Sequence, residues 1–200
     1  SNDSNHQMRR REVVQHFLAY IWMRNASIEE VWTIAGIQSL HDILTHRLEH
    51  ADMATSVSPG IFRNAPRYAT GIKGRRVEYL EHAEIPQQME RFVACIHDRL
   101  IESVVQGPSA QMFLIVGWIL YKFLLIHPFG DGNGRLARLL ANHVFVCHGI
   151  HVPVTFVAGI HKKSKHHYMD ALDRGQHRGD VPTILATFAA EMMSQSFQKF

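Results

Sequence analysis

One stretch, Met112 to Ile126, constrains this chain more than any other: it is interrupted by a single charge, Lys122, and is shorter than the ~20 apolar residues that a membrane span requires. The sequence therefore predicts a helix buried at the centre of a soluble core, with other helices packed around it. Apolar residues elsewhere do recur at spacings of three and four, the signature of amphipathic helices. Val13, Val14, Phe17, Leu18 and Ile21 form one such face. Ser27 with Glu30 reads as a capping box opening a second helix, and Ser39 with Asp42 as the start of another carrying Leu40, Ile43, Leu44 and Leu48. Pro86 suits a first helical turn, after which Met89, Phe92, Val93, Ile96 and Leu100 hold register until Gly107-Pro108 stops it. Ser109 opens the apolar helix itself. A further helix runs from Asn133 to about His148 with Gly149 as its left-handed cap, and short helices follow at about Ser164–Arg174 and Pro182–Gln198.

Between Gly60 and Glu81 the helical period lapses. Arg67-Tyr68-Ala69-Thr70 and Arg76-Val77-Glu78-Tyr79 flank Gly71-Ile72-Lys73-Gly74, which reads as a small β-hairpin. Repeats, linkers and low-complexity segments are absent from the sequence. We therefore expect a flexible polar segment over residues 1–11 and one mainly α domain over 12–200, bearing a single hairpin.

Composition narrows the function classes. With 46% hydrophobic and 20% charged residues the chain is neither disordered, nor collagen-like, nor a coiled-coil array. A formal charge of +3 argues against a dedicated nucleic-acid binder or a polybasic membrane binder. Cys95 and Cys147 are too few for a disulfide framework and point to a reducing compartment. Ser1 to Arg11 lacks the apolar stretch of a signal peptide, so a cytoplasmic location is expected.

The chemistry is concentrated in His127-Pro128-Phe129-Gly130-Asp131-Gly132-Asn133-Gly134-Arg135-Leu136-Ala137-Arg138. Pro128 biases His127 away from helical angles, so the apolar helix ends there and leaves the histidine at its mouth. Three glycines allow close backbone approach, and the helix that begins near Asn133 aims its free N–H groups and positive dipole end into the loop. Such a nest is an anion cradle suited to phosphates. Arg135 and Arg138, three residues apart, put cations where the dipole disfavours them unless an anion sits nearby. Asp131 would repel phosphate by itself but suits Mg²⁺, which binds through one or two carboxylates plus substrate oxygens. A Walker A loop is excluded because its Gly-Lys-Ser/Thr ending is missing, an EF-hand by Arg135 and Asn142 at ligand positions, and a dinucleotide fingerprint because the loop follows a helix rather than a strand.

This run resembles the Fic family, matching its pattern His-Pro-Phe-x-Asp/Glu-Gly-Asn-Gly-Arg-x-x-Arg at every specified position. A looser likeness extends over about residues 12–190, in which Gly60-Ile61-Phe62-Arg63 looks like the lead into the family's target-docking flap. The resemblance implies a mainly helical Fic core and transfer of AMP from ATP to a Ser, Thr or Tyr hydroxyl of a protein target. By that resemblance His127 would be the general base, and Asp131 the ligand of a Mg²⁺ that bridges the α- and β-phosphates. Gly132, Asn133 and Gly134 would form the anion nest, with Arg135 and Arg138 holding the β- and γ-phosphates. Phe129 would anchor the loop in the core. Tyr168 and Met169 would lie on the adenine side, Met169 departing from the paired tyrosines of many relatives. Arg67, Tyr68, Ala69, Thr70, Val77 and Tyr79 would form the flap and dock the target through main-chain hydrogen bonds.

The rival readings on this scaffold are transfer of UMP or phosphocholine, or removal of AMP from a modified target. Glycine at 134, where phosphorylating Doc-type relatives carry lysine, argues against a kinase. The Arg9 cluster and the run His161 to His167 read as solvated basic surface, since neither is interleaved with aromatics for nucleic acid and no carboxylate or cysteine spacing supports a metal. Many relatives are held off by a glutamate in Ser/Thr-x-x-x-Glu-Gly/Asn that engages the position of Arg138. Only Thr45-x-x-x-Glu49 and Thr187-x-x-x-Glu191 fit in part, both in apolar-periodic helices, so the inhibitor is expected on a missing N-terminal segment or a separate partner.

Overall fold

The computed structural model describes residues 2–46, 58–70, 76–154 and 181–197. In chain order these form α1 (Asn2–Asn25), α2 (Ile28–Val31), α3 (Ile34–Thr45), β1 (Tyr68–Thr70), β2 (Arg76–Glu78), a 3₁₀ turn His82–Glu84, α4 (Ile85–Gln106), α5 (Ala110–Ile126), α6 (Asn133–Cys147) and α7 (Val181–Phe197). The architecture is mainly α, as the periodicity predicts. The helix expected at about 164–174 lies outside the described residues.

The most apolar helix is central. The Ser109 hydroxyl caps α5 by accepting from the Gln111 N–H (3.3 Å). Along α5, Met112, Ile115, Val116, Ile119, Leu120, Phe123 and Ile126 are buried against α4, α6 and α7. Full burial of each such side chain contributes roughly 1.5–3 kcal/mol, far more than helix propensity could. Trp32, Phe92, Phe123 and Phe145 fill the same core, Phe92 stacking on Trp118 at 5.4 Å. Among the described residues no helix is long and apolar enough to cross a membrane.

Two helix boundaries differ from expectation. The capping box of Ser27 and Glu30 forms, but α2 lasts a single turn before Thr33 opens α3, its hydroxyl accepting from the Gly36 N–H at 2.9 Å. A Cβ on Gly36 would stand 1.9 Å from the Glu30 carbonyl oxygen, so the corner between α2 and α3 can close only on glycine. Ser39 therefore caps nothing and lies exposed inside α3. Helix α1, for its part, starts at Asn2, ahead of the periodic stretch, because a polar helical turn leaves no apolar period to read.

The face of α1 is also reversed. Val13, Val14, Phe17, Leu18 and Ile21 are exposed, Val13 by 70% and Phe17 by 61%, whereas Ala19 and Met23 are buried and Glu12, Gln15 and His16 half-buried. The inward side of α1, packed on α3 and α6, is polar at its N-terminal end because it passes the candidate site.

Strands β1 and β2 pair antiparallel with Tyr68 opposite Glu78, Ala69 opposite Val77 and Thr70 opposite Arg76, and the Tyr79 N–H extends the ladder to the Arg67 carbonyl at 3.1 Å. Residues 71–75, which join the strands, lie outside the described residues.

Candidate active site

The loop between α5 and α6 is built around a bend at its first residue. His127 ends α5 in the left-handed region (φ 50°, ψ 60°), the one non-glycine with positive φ among the described residues, at a cost of order 1–3 kcal/mol that its surroundings must offset. Pro128 then carries the chain out of the helix. Phe129 drops fully into the core, stacked on His41 at 3.7 Å and tilted against Phe62 at 5.3 Å, as the sequence reading of an anchor requires.

Asn133 closes the loop on itself. Its side-chain oxygen accepts the Phe129 N–H (3.0 Å) and its amide donates to the Phe129 carbonyl (2.8 Å), leaving it 2% exposed. Gly132, at φ 77°, precedes α6 and offers no side chain to cap it, so the first-turn N–H groups face the loop with the positive end of the helix dipole. A Cβ at Gly132 would press to 3.0 Å on the Thr45 methyl.

Asp131 of the loop and Arg135 of α6 meet one addition from α1. Arg135 Nη2–H donates to Asp131 Oδ2 at 3.1 Å, and its Nη1–H donates to Glu12 Oε1 of α1 at 3.3 Å. A cation at a helix N-terminus calls for an anion, and here two carboxylates of the chain itself answer it. Arg138 lies close over Gly134, where a Cβ would come within 3.4 Å of its Nη1. Both arginines depress the pKa of half-buried His16 on α1, after burial itself. Glu191 is exposed on α7, and Glu49 lies outside the described residues.

The imidazole of His127 is held from several sides. Tyr79, directly after β2, stacks on it with ring centroids 3.7 Å apart and planes 10° from parallel. Burial chiefly, then the Arg63 cation, pushes its pKa down from 6.5 to about 4, Arg67 adding to the fall and Asp131 and the Leu124 carbonyl opposing it. Its Nδ1 is buried without a hydrogen-bond partner among the described residues, and the Leu124 carbonyl beside the ring favours the charged form.

Of the other residues singled out from sequence, Tyr68 is exposed, Arg67 lies near Gly130 and the His127 ring, and Ala69, Thr70 and Val77 are fixed in backbone register on the ribbon. Tyr168 and Met169 lie outside the described residues.

The sequence model of the Fic/DOC family matches residues 32–145, from the α2–α3 corner to the last turns of α6. The chain belongs to that family. A Fido domain-containing protein of Dictyostelium discoideum is 46% identical over 50 residues, 25% of this chain and 35% of the relative. The protein adenylyltransferase Fic of Nematostella vectensis is 43% identical over 61 residues, 30% of this chain and 13% of the relative. The matched stretch thus spans about a third or less of these curated relatives. Among solved structures, a Fic domain containing signaling protein from Bacteroides thetaiotaomicron superposes with a TM-score of 0.69 at 20% identity, covering 94% of this chain and 68% of that one. A Fic family protein from Desulfovibrio desulfuricans gives 0.67 at 18% identity, covering 94% and 52%. At such identities the likeness is one of fold.

Two residues of this Fic/DOC site, His41 and Glu12, escaped the sequence reading, and Arg63 entered it only within the lead into the flap. His41 is fully buried in α3, its Nδ1 accepting from the Gly60 N–H (2.9 Å) and its Nε2–H donating to the Asp131 carbonyl (3.0 Å). Arg63 reaches the carbonyl of His127, and Glu12 reaches Arg135. The available signal was a histidine on the otherwise apolar stripe Ile37, Leu40, Leu44; for Glu12 there was none.

Proposed function

We propose that this Fic/DOC chain transfers AMP from ATP to a hydroxyl of a protein target and releases pyrophosphate. The observation that carries the reading is a complete motif whose histidine ends α5 and is joined to the uncapped N-terminus of α6 by a single tight loop. The target oxygen would form a bond to the α-phosphorus, the bond from that phosphorus to the bridging oxygen of the β-phosphate would break, and the hydroxyl proton would pass to the unprotonated ring nitrogen of His127. A pKa lowered to about 4 keeps the ring neutral, and so able to accept a proton, across the physiological range. Incoming phosphates would raise that value toward the operating pH, because an anion beside imidazole favours its charged form.

The backbone of Gly132, Asn133 and Gly134 and the dipole of α6 would receive the phosphates, with Arg135 on the β- and Arg138 on the γ-phosphate. Asp131 would hold Mg²⁺. Among the described residues no group of three His, Cys, Asp or Glu is arranged for a metal, so the remaining ligands would be phosphate oxygens and water, which is the habit of this cation. When bound, it would neutralise charge on the phosphates. The β1–β2 ribbon would dock the target as an added strand, its end held at the base by the Tyr79 stack. Control would come from an inhibitory partner or another segment, since the full inhibitory glutamate motif is absent from the sequence.

Incubation with Mg²⁺ and α-labelled ATP, CTP, GTP or UTP, followed by detection of label on the chain or on added proteins, tests the reading. Label from ATP that disappears in His127→Ala, whose loss of general-base help typically costs ~10²–10⁴ in rate, is expected. Equal labelling by wild type and His127→Ala would overturn it, and label from UTP alone would replace AMP with UMP.

A further inference from the structure

Arg63 is 8% exposed, yet among the described residues its guanidinium hydrogen bonds all go to backbone carbonyls: Nε–H to His127 (2.7 Å), Nη1–H to Ala65 (2.8 Å), and Nη2–H to Leu80 and to Ile126 (3.4 Å). Its own N–H donates to the Pro128 carbonyl at 2.9 Å. We propose that Arg63 is the positioning residue for His127, bridging the last carbonyls of α5 to the two chain segments at the base of the β1–β2 ribbon and so fixing the direction of the imidazole. This rests on the reading of His127 as the base.

Three features argue for it. The last carbonyls of a helix lack intrahelical donors and carry the negative end of its dipole, which a buried cation satisfies on both counts. Only a planar fork with five donors can meet several carbonyls at once; a lysine ammonium in that place could reach few of them in good geometry. Finally, the left-handed backbone of His127 needs neighbours that over-determine it, and Arg63 restrains the carbonyls of residues 126, 127 and 128 in succession.

The same fork governs the ring. Leu80, whose carbonyl it holds, follows Tyr79, whose phenol covers one imidazole face. Strand ends, stacking partner and base are thus tied to one side chain. Among the described residues, the charged and titratable groups that act on the ring are Arg63 and Arg67 from the segment before β1, Tyr79 after β2 and Asp131 from the loop. Of the two cations, Arg63 contributes more to the lowered pKa.

The test compares the full chain as wild type, Arg63→Gln and Arg63→Lys. The histidine titration of the nucleotide-free protein, read by NMR on isotope-labelled histidine with His127 assigned through His127→Ala, is one arm. The other is the pH profile of label transfer from α-labelled ATP and Mg²⁺, with ATP affinity from calorimetry. In Arg63→Gln the His127 pKa should rise while those of His41 and His143 stay in place. Its kcat should fall on the order of 10²-fold with ATP affinity changed by less than about 3-fold, and the acid limb should move to higher pH. Arg63→Lys keeps the charge but not the fork, so the His127 pKa should stay near wild type while kcat still falls. An unmoved His127 titration with unchanged kcat in Arg63→Gln, or wild-type kcat in Arg63→Lys, would overturn the proposal. Should Arg63→Gln not fold, Arg63→Lys alone decides by its kcat. If the wild type labels nothing, the reading of the reaction fails and the NMR arm still decides whether Arg63 governs the ring.

Discussion

Acid should unfold this protein through histidines that have no room to charge. His41 and His143 are fully buried, and burial pushes the pKa of each down from 6.5 to about 4. Each needs one nitrogen as an acceptor: Nδ1 of His41 takes the Gly60 N–H, and Nδ1 of His143 takes Trp32 Nε1–H at 2.9 Å, while its Nε2–H faces the Ala26 carbonyl at 3.3 Å. A second proton would therefore break a hydrogen bond as well as bury a charge. The unfolded chain takes up these protons near pH 6.5 and the native chain only near 4, so between those values the unfolded state holds more of them and stability falls as pH falls. Above 6.5 the full contribution is present. At ~1.4 kcal/mol per pKa unit, each histidine withdraws about 2 kcal/mol between pH 7.5 and 5, and the pair about 4, against a typical domain stability of about 5–15 kcal/mol. Urea unfolding at pH 7.5, 6.5, 5.8 and 5.0 measures this above the ordinary carboxylate range, and the midpoint should fall with the slope unchanged. His143→Asn, whose amide oxygen can still accept from Trp32, should start less stable but lose about 2 kcal/mol less over the same interval, the share of one such histidine. A flat profile between pH 7.5 and 5, or the same loss in His143→Asn, would refute the reasoning.

On the proposed reading Asp131→Ala removes a metal ligand and should weaken ATP binding in Mg²⁺ but change it little in EDTA, whereas Arg135→Ala removes a charge-assisted contact and should weaken it in both; calorimetric titrations with identical affinities would contradict this. Ala69→Pro, which removes a backbone donor from β1, should impair modification of a protein target more than ATP binding, measured at limiting target concentration. Glu12→Gln frees Arg135 from a partly exposed ion pair worth about 0.2–1 kcal/mol, so ATP should bind up to about 5-fold more tightly, and weaker binding would mean that Glu12 orients the arginine instead.

The parts of this site that sequence made legible are those whose causes are local. Ser27, Pro86, Ser109, Gly107 and Gly149 act on backbone groups within one helical turn, and the 127–138 loop carries its glycines, proline and charges contiguously. The α2–α3 corner was misread because two capping signals, Thr33 and Ser39, compete within seven residues, and the winner is decided by Gly36 packing on the Glu30 carbonyl. His41 and Arg63 act on partners 90 and 64 residues away, a separation over which spacing conveys nothing.

Helix α1 is the instructive failure. A periodic apolar face is ordinarily read as the buried one, on the premise that a helix has only water on its other side. Here the other side of α1 meets Arg135 at Glu12 and lies near enough for Arg135 and Arg138 to act on His16, so its inward face is obliged to be polar where it crosses the loop and small at Ala19 where it closes on the core. The apolar residues are left outside by geometry, because Val13 and Phe17 share one side of the helix and Glu12 and His16 another. In this chain a helix with carboxylate and histidine in register is thus a wall of the arginine site, and its exposed apolar face follows from that placement.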